Sequence, residues 1–339
     1  MKREPDFGNL LKVLERKVPD RPTLFEFFLN PRLYRELAGN EAVPERLMHI
    51  PAYRNAGYDY APILAAPGLF PHPRPAQEAS CSMNEAPAFT DRAAERDYRW
   101  REPEEAYDSR YMKEAAACLP PGMKLIAYGP DGMLENMIRL IGFDNLCYAV
   151  ADDPEWVGEI SEKVGSRLVH YYKTVSADPA VGACIVNDDW GFHSQPMLSP
   201  EDMRRYIVPW HKKMVEAIHG NGKPAILHSC GRLDALMDDI IDICRYDAKH
   251  SYEDKILTVE EAYERYHDRI AILGGIDVDF VCRRTEGEIF KRSAAMLERT
   301  RARGGYALGT GNSVPEYVPD DKYFAMIRAA VPGVEIPRA

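Results

Sequence analysis

A histidine and a cysteine two positions apart, His228 and Cys230, carry the sharpest chemical signal in the sequence. They follow the apolar run Ala225–Leu227, and residues two apart in an extended segment place their side chains on the same face. Imidazole and thiolate are natural ligands of zinc, so the pair predicts two ligands of one Zn²⁺ ion. The alternative is a small buried thiol beside a hydrogen-bonded core imidazole.

Short apolar runs that end in Gly, Asp, His or Asn recur along the chain, and helical patterns lie between them. We predict eight strands, at Thr23–Leu29, Asp59–Ala65, Lys124–Tyr128, Val181–Val186, Ala225–Leu227, Tyr246–Lys249, Ile270–Leu273 and Tyr306–Leu308. Strands that alternate with helices form parallel sheets, and eight of them close an α/β fold of the (β/α)₈ TIM barrel type. No Gly-x-Gly-x-x-Gly follows any run, which disfavours an open doubly wound sheet.

Polar side chains at the carboxyl ends of barrel strands converge on one pocket. The sequence therefore predicts a pocket with His228 and Cys230 as metal ligands and with Asp188, His250 and Asp277 as catalytic residues. Residues expected to contact substrate are Glu135, Asn136, His193 and Asn312. Helix capping is the alternative for Glu135 and Asn136, a structural role for His193, and tight packing at Gly274-Gly275 for the Asp277 turn.

Composition and charge exclude several classes of protein. The 339 residues carry 43 Lys+Arg and 53 Asp+Glu, a net charge of −10, which argues against a nucleic-acid partner. No apolar run approaches the length of a membrane span, and the first residues lack the core of a signal peptide. Seven scattered cysteines do not suggest a disulfide framework. We expect a cytoplasmic globular protein.

The chain divides into an N-terminal helical extension, residues 1–20, and a single barrel domain, residues 21–335. A proline-rich loop at 66–102 interrupts the alternation after the second predicted strand. A loop of this length is typically a lid or binding loop, or else disordered.

Four motifs resemble the uroporphyrinogen decarboxylase superfamily, and more specifically its cobamide-dependent methyltransferase branch, which includes methylcobalamin:coenzyme M methyltransferases. They are Lys223–Gly231 (KPAILHSCG), Asn187–Gly191 (NDDWG), Gly274–Asp277 (GGID) and Gly309–Pro315 (GTGNSVP). The resemblance extends from about Tyr128 to Val331. It implies a (β/α)₈ barrel with the active site at the carboxyl ends of the strands, in agreement with the strand count.

The sequence departs from true uroporphyrinogen decarboxylases at four places. Their first strand carries arginines that bind substrate carboxylates, whereas Phe25–Asn30 has no arginine and contains a glutamate. Their catalytic aspartate is replaced within Leu64–Pro67, their third-strand tyrosine corresponds to Asn136, and their eighth-strand histidine to Thr310. These four departures disfavour decarboxylation of a tetrapyrrole, which remains the first alternative function.

In the methyltransferase branch, a His-x-Cys pair and one further cysteine hold zinc. His228 and Cys230 match the pair, but the third position falls within Gly311–Ser313, which has no cysteine. Candidates for a substitute ligand are Asp188, His250 and Glu253. We favour Asp188, since a carboxylate leaves the metal a stronger Lewis acid than a second thiolate does.

The resemblance implies a zinc-dependent methyltransferase that moves a methyl group between a protein-bound corrinoid and a small-molecule donor or acceptor. The usual corrinoid motif Asp-x-His-x-x-Gly is absent from the sequence, so we expect the corrinoid on a separate protein. A homodimer is a candidate assembly. The second alternative function is a barrel that binds a small molecule without catalysis.

Overall fold

Seven parallel strands in sequential order form the sheet of the computed structural model, which describes residues 3–73, 83–84 and 86–334. Nearly all their residues are buried, as expected for a parallel sheet covered by helices. The strands are β1 (Tyr60–Ile63), β2 (Lys124–Tyr128), β3 (Val181–Asn187), β4 (Ala225–His228), β5 (Ala248–His250), β6 (Ala271–Leu273) and β7 (Tyr306–Ala307). The sequence predicted all seven, with ends displaced by at most about two residues.

The first predicted strand, Thr23–Leu29, is not a regular strand. It forms two isolated parallel bridges, Leu24 with Leu308 and Leu29 with Val314. On its other side, the Tyr60 hydroxyl at the start of β1 accepts from the Glu26 N–H at 2.8 Å and donates to the Glu26 carbonyl. This segment lies between β7 and β1, in the position of the eighth barrel strand, so the α/β barrel class is confirmed. Eight regular strands were expected, and the structure has seven.

The helices found among the described residues cover the sheet and connect its strands. Ser199 caps one of them by accepting from the Asp202 N–H at 3.1 Å, and Pro200 occupies its first turn. The α-helices are α1 (Phe7–Leu14), α2 (Pro31–Ala38), α3 (His49–Ala56), α4 (Arg92–Glu95), α5 (Pro103–Ala106), α6 (Ser109–Cys118), α7 (Met133–Ile141), α8 (Phe143–Asp152), α9 (Pro154–Ser176), α10 (Pro200–Asp202), α11 (Val208–Gly220), α12 (Val259–Tyr266), α13 (Val278–Arg283), α14 (Glu286–Thr300) and α15 (Asp320–Ile327). Short 3₁₀ and π segments lie at Glu45–Leu47, Met203–Ile207, Asp234–Leu236 and Asp239–Cys244.

The N-terminal segment packs at the end of the barrel where the strands begin. The Phe7 N–H donates to the Gly122 carbonyl at 2.8 Å, and the Asp6 N–H donates to the Asp59 carboxylate at 2.8 Å. Arg21 also pairs with Asp59 at 2.7 Å. One helix, α1, thus lies within residues 1–20, while the domain boundary at residue 20 stays a prediction.

The proline-rich loop at 66–102 is packed where the structure describes it; residues 74–82 and 85 lie outside the described residues. Glu95 in α4 is buried and accepts from the Trp156 indole N–H at 2.8 Å and from the Lys163 ammonium at 2.5 Å. Rings of Phe89 and Tyr98 complete this contact with α9. A role as a lid stays a prediction.

In the described parts of the chain, no helix combines the length and the apolar character needed to cross a bilayer.

Candidate metal centre

Three side chains with ligand atoms meet where β3 and β4 end. The carboxylate of Asp189, the imidazole of His228 and the thiol of Cys230 have ligand atoms within 4.8 Å of one another. Zinc bonds of about 2.0–2.3 Å in tetrahedral geometry place ligand atoms roughly 3.3–3.8 Å apart. The three side chains would therefore need to move only about 1 Å closer together to bind an ion. The predicted proximity of His228 and Cys230 is confirmed, and their donor set of N, S and O atoms suits zinc.

The loops after β3 and β4 approach at backbone distance, which brings Asp189 to Cys230. Gly231 has a φ of +87°, and a Cβ at this position would lie 2.1 Å from the Gly191 carbonyl oxygen. Only glycine fits such a contact. The Asp189 carboxylate accepts from the Cys230 N–H at 2.9 Å, and the Arg232 N–H donates to the Phe192 carbonyl at 2.8 Å.

Asp188, the expected third ligand, faces away from the pair and is saturated with hydrogen bonds. Its buried carboxylate accepts from the Leu134 N–H at 3.0 Å and the Glu135 N–H at 2.9 Å. The Trp190 indole N–H and the His211 Nε2 each lie 2.9 Å from Oδ2. Four partners occupy both oxygens, so the structure does not bring Asp188, the expected substitute ligand, to the pair; its neighbour Asp189 lies there instead.

His250 fixes the tautomer of His228. The parallel register pairs the two residues, and their Nδ1 atoms lie 2.8 Å apart. His250 Nε2 lies 3.3 Å from the Thr310 carbonyl oxygen, which only accepts, so this nitrogen carries the proton. Burial lowers the pKa of His250 to about 3 and that of His228 well below its ordinary value, so both rings are neutral. His250 Nδ1 must therefore accept from His228 Nδ1, which leaves the lone pair of His228 on Nε2.

Two hydrogen-bond donors hold the Cys230 sulfur. The Ser251 hydroxyl and the Asn312 amide each donate to Sγ at 3.3 Å. Burial raises the pKa of the Cys230 thiol to about 12 and also raises the pKa of the Asp189 carboxyl. Without a cation the sulfur keeps its proton; a bound divalent cation would displace that proton, and the two donors would stabilise the thiolate. Asn312 thus lies beside the site.

A buried lysine links the carboxyl ends of β4 and β5 through hydrogen bonds to backbone carbonyls. Lys249 donates to the carbonyls of Ser251 at 2.7 Å, Ser229 at 3.3 Å and His250 at 3.4 Å. Ser251 has a φ of +83°, a left-handed conformation that is costly for a residue with a side chain. Lys249 therefore helps to hold the backbone that aims the Ser251 hydroxyl at Cys230. Burial lowers the pKa of Lys249 to about 8.

Aromatic rings flank the imidazole of His228. The ring of Phe27 lies 4.6 Å from that of His228, centroid to centroid. Tyr128 at the end of β2 packs edge-on against Phe27 at 5.4 Å and against Phe28 at 5.0 Å. The side of the site beside His228 is therefore apolar and aromatic.

The remaining predicted residues have structural contacts or lie apart. Glu135 accepts from the Gly132 N–H at 3.0 Å, which matches the capping alternative, whereas Asn136 donates to the carbonyls of Pro130 and Gly132. Asp277 accepts from the N–H groups of Phe280 and Asp254, each at 2.9 Å. His193 is exposed in the loop after β3. The structure thus groups His228, Cys230, His250 and Asn312, and gives Glu135, Asn136 and Asp277 backbone-holding roles.

Sequence reasoning assigned no role at the site to Asp189, the third residue of the cluster, or to Lys249, Ser251, Thr310 and His211, which bond to the cluster or to residues beside it. A signal existed for Asp189, since Asn187-Asp188-Asp189 offers two adjacent carboxylates, but the choice between them depends on the path of the chain after β3. Lys249 sits within a predicted strand and carries no local sign that it is fully buried.

Several solved structures are similar to this chain. A structure described as a methyltransferase from Methanosarcina mazei superposes with a TM-score of 0.70 at 13% identity, covering 96% of this chain and 97% of that one. A β-glycosidase from Thermosphaera aggregans gives a TM-score of 0.46 at 11% identity, covering 94% and 97%. Xylanase B from Clostridium stercorarium F9 gives 0.39 at 10% identity, covering 70% and 85%. No curated protein sequence matches this chain.

At 13% identity, the likeness to the Methanosarcina structure shows the fold, a barrel shared over almost the whole of both chains. The sequence profile described as uroporphyrinogen decarboxylase (URO-D) matches residues 122–331, well over half of the chain. This range contains all three ligand-type residues of the cluster. The chain therefore belongs to the uroporphyrinogen decarboxylase family.

Proposed function

We propose that this protein is a zinc-dependent methyltransferase that moves a methyl group between a protein-bound corrinoid and a small molecule. The observation that carries the proposal is the cluster of Asp189, His228 and Cys230, with ligand atoms within 4.8 Å at the carboxyl ends of the strands. Catalytic zinc sites usually have three protein ligands and one open position, and this cluster supplies three. The structural likeness to a methyltransferase supports the same direction.

When bound, zinc would act as a Lewis acid on the heteroatom of the substrate that gains or loses the methyl group. His228 would offer Nε2, because its Nδ1 proton is engaged with His250. Cys230 would offer its sulfur with the support of two donors, and Asp189 would offer the oxygen that the Cys230 N–H does not occupy.

The donor set favours demethylation of a methylated small molecule. One thiolate and one carboxylate leave a harder and stronger Lewis acid than two thiolates would, which suits an oxygen or nitrogen leaving group. In this direction, the bond from the methyl carbon to the heteroatom breaks, and its electron pair stays on the heteroatom. That atom would take up one proton and leave as an alcohol or amine, and the methyl group would pass to cob(I)alamin on the partner protein, which supplies the electron pair of the new bond.

The aromatic side of the site also bears on the substrate. Phe27, Phe28 and Tyr128 line the region next to His228, and such rings favour a compact apolar body over a carboxylate-rich one. This observation supports methyl transfer over decarboxylation of a tetrapyrrole, whose carboxylates call for arginines.

Metal content is the first test of the proposal. We expect the purified protein to hold about one zinc per chain and to exchange it for Co²⁺, with a sulfur-to-cobalt charge-transfer band. Cys230→Ser should abolish that band, whereas Cys147→Ser, at an exposed cysteine on α8, should not change it. A metal-free wild-type protein that does not bind Co²⁺ would contradict the proposal.

Turnover is the second test. Methyl ethers and methylamines are incubated with the protein and cob(I)alamin, and the visible spectrum is followed for formation of methylcobalamin. The change should require zinc and disappear in His228→Ala. Metal-independent release of CO₂ from a carboxylated substrate would instead support a decarboxylase, and tight binding without turnover would support a binding protein.

A further inference from the structure

Glu26 is a fully buried carboxyl group whose side chain bonds, among the residues that the structure describes, to Thr310 alone. It follows the Leu24 bridge and has 0% exposed surface. Its Oε1 accepts from the Thr310 N–H at 2.6 Å, and its Oε2 lies 2.7 Å from the Thr310 hydroxyl oxygen. Among the described residues no basic side chain forms an ion pair with Glu26. A buried carboxylate without a counter-charge is costly, so the position of its proton needs explanation.

The hydrogen bonds of the Thr310 hydroxyl show whether the Glu26 carboxyl group carries a proton. The Thr310 hydroxyl also lies within hydrogen-bond distance of the Asn312 carbonyl oxygen, which can only accept. The single hydroxyl proton must therefore go to Asn312. The contact between the hydroxyl and Glu26 Oε2 then needs a proton from Glu26, so the carboxyl group is the neutral acid. Burial raises the pKa of Glu26 to about 8, which agrees with this count.

Thr310 and Asn312 connect Glu26 to two of the three ligand residues. The Thr310 carbonyl accepts from His250, whose ring accepts the Nδ1 proton of His228. The Asn312 side chain donates to the sulfur of Cys230 at 3.3 Å. One buried acid therefore anchors the backbone that fixes both the imidazole tautomer and the sulfur donor.

We propose that Glu26 is a positioning residue that acts as a neutral hydrogen-bond donor and holds Thr310 and Asn312 in place behind His228 and Cys230. The role in metal binding rests on the proposed function, whereas the protonation state of Glu26 does not. Partners that orient metal ligands typically change metal affinity by about 10–100-fold when they are removed.

Infrared spectroscopy of the metal-free protein tests the protonation state alone. Burial raises the pKa of Glu135 to about 8 as well, so the Glu26 band is identified in the difference spectrum between the wild type and Glu26→Gln. At pH 7 we expect this difference to contain the carbonyl band of one protonated carboxylic acid. The band should remain in Glu95→Gln, a matched change at a buried glutamate that is paired with Lys163. Absence of the band from the wild-type protein, or its survival in Glu26→Gln, would overturn the assignment.

Co²⁺ titration tests the positioning role. Glu26→Gln preserves one donor and one acceptor, so its Co²⁺ affinity should stay within about twofold of that of the wild type. Thr310→Val removes the relaying hydroxyl and should weaken Co²⁺ binding by about 10–100-fold, with recovery in Thr310→Ser. The control is Thr300→Val, at a buried threonine in α14 whose hydroxyl bonds within its own helix.

The outcomes separate this inference from the proposed function. Wild-type protein that binds Co²⁺, together with Thr310→Val that binds it equally well, would overturn the positioning role and leave the metal centre intact. Wild-type protein that does not bind Co²⁺ would overturn the metal centre and the positioning role with it. In that case the infrared band still decides whether Glu26 is the neutral acid.

Discussion

Asp188 and Asp189 are adjacent carboxylates in different environments. Asp188 is buried and has four partners, two backbone N–H groups, an indole and an imidazole. Asp189 accepts from the Cys230 N–H and lies beside the Cys230 thiol and His228. The difference shows that unoccupied lone pairs, rather than residue type, distinguish a candidate ligand from a carboxylate that holds the fold together.

The largest expected effect is a loss of folding stability on substitution of Asp188, whose carboxylate has four hydrogen-bond partners. Asp188→Ala leaves two buried N–H groups, the Trp190 indole and the His211 ring without their acceptor, and should cost about 3–5 kcal/mol. Asp189→Ala removes one hydrogen bond and should cost about 1 kcal/mol. Urea unfolding of the metal-free variants, followed by circular dichroism, measures both. Equal losses would show that the two carboxylates have the same role.

Lys249 is a buried basic residue, as Asp188 is a buried acidic one. It should make the free energy of unfolding depend on pH. Its pKa in the folded protein is lowered to about 8, below the 10.5 of a free lysine, because burial disfavours its charge. The unfolded chain therefore binds more protons between pH 8 and 10.5, so the stability of the wild type should rise over that interval relative to Lys249→Met. The gain should reach about 3 kcal/mol.

Unfolding of both proteins at a series of pH values measures this gain. Lys255→Met, at an exposed lysine, controls for general charge effects. A constant difference between wild type and Lys249→Met over the whole range would contradict the expected shift.

The third effect concerns metal binding at the unsaturated carboxylate. Asp189→Ala should lower the affinity for Co²⁺ by about 100-fold or more, since loss of a ligand should exceed the effect of losing an orienting partner. Asp189→Asn keeps an acceptor for the Cys230 N–H but has no charge, and it should lie between alanine and the wild type. If Asp189→Ala bound Co²⁺ as tightly as the wild type does, a different residue would be the third ligand.

The smallest effect is expected at His193, a histidine that the sequence suggested for the pocket. Because His193 is exposed, His193→Ala should change stability by no more than about 0.5 kcal/mol and leave Co²⁺ affinity within about twofold. A marked loss of affinity would instead show that the loop after β3 closes over the metal centre.

The sequence predicted the order of strands and helices well because that signal is local. Lys124–Tyr128 coincides with β2, and the predicted strand Val181–Val186 lies within β3. Thr23–Leu29 has the same apolar character but forms only isolated bridges and no regular ladder. The tyrosine at the start of β1 provides a side-chain contact in place of that ladder.

By itself the sequence determined that an imidazole and a thiol share one face at the end of a strand, because a two-residue spacing fixes side-chain direction. Only the tertiary structure decided that Asp189 joins them and that His250 and Asn312 support them. Those choices depend on the register between strands and on the contact of Gly191 with Gly231, which join residues about 20 to 80 positions apart. No local pattern encodes such contacts, since each depends on the relative placement of whole strands.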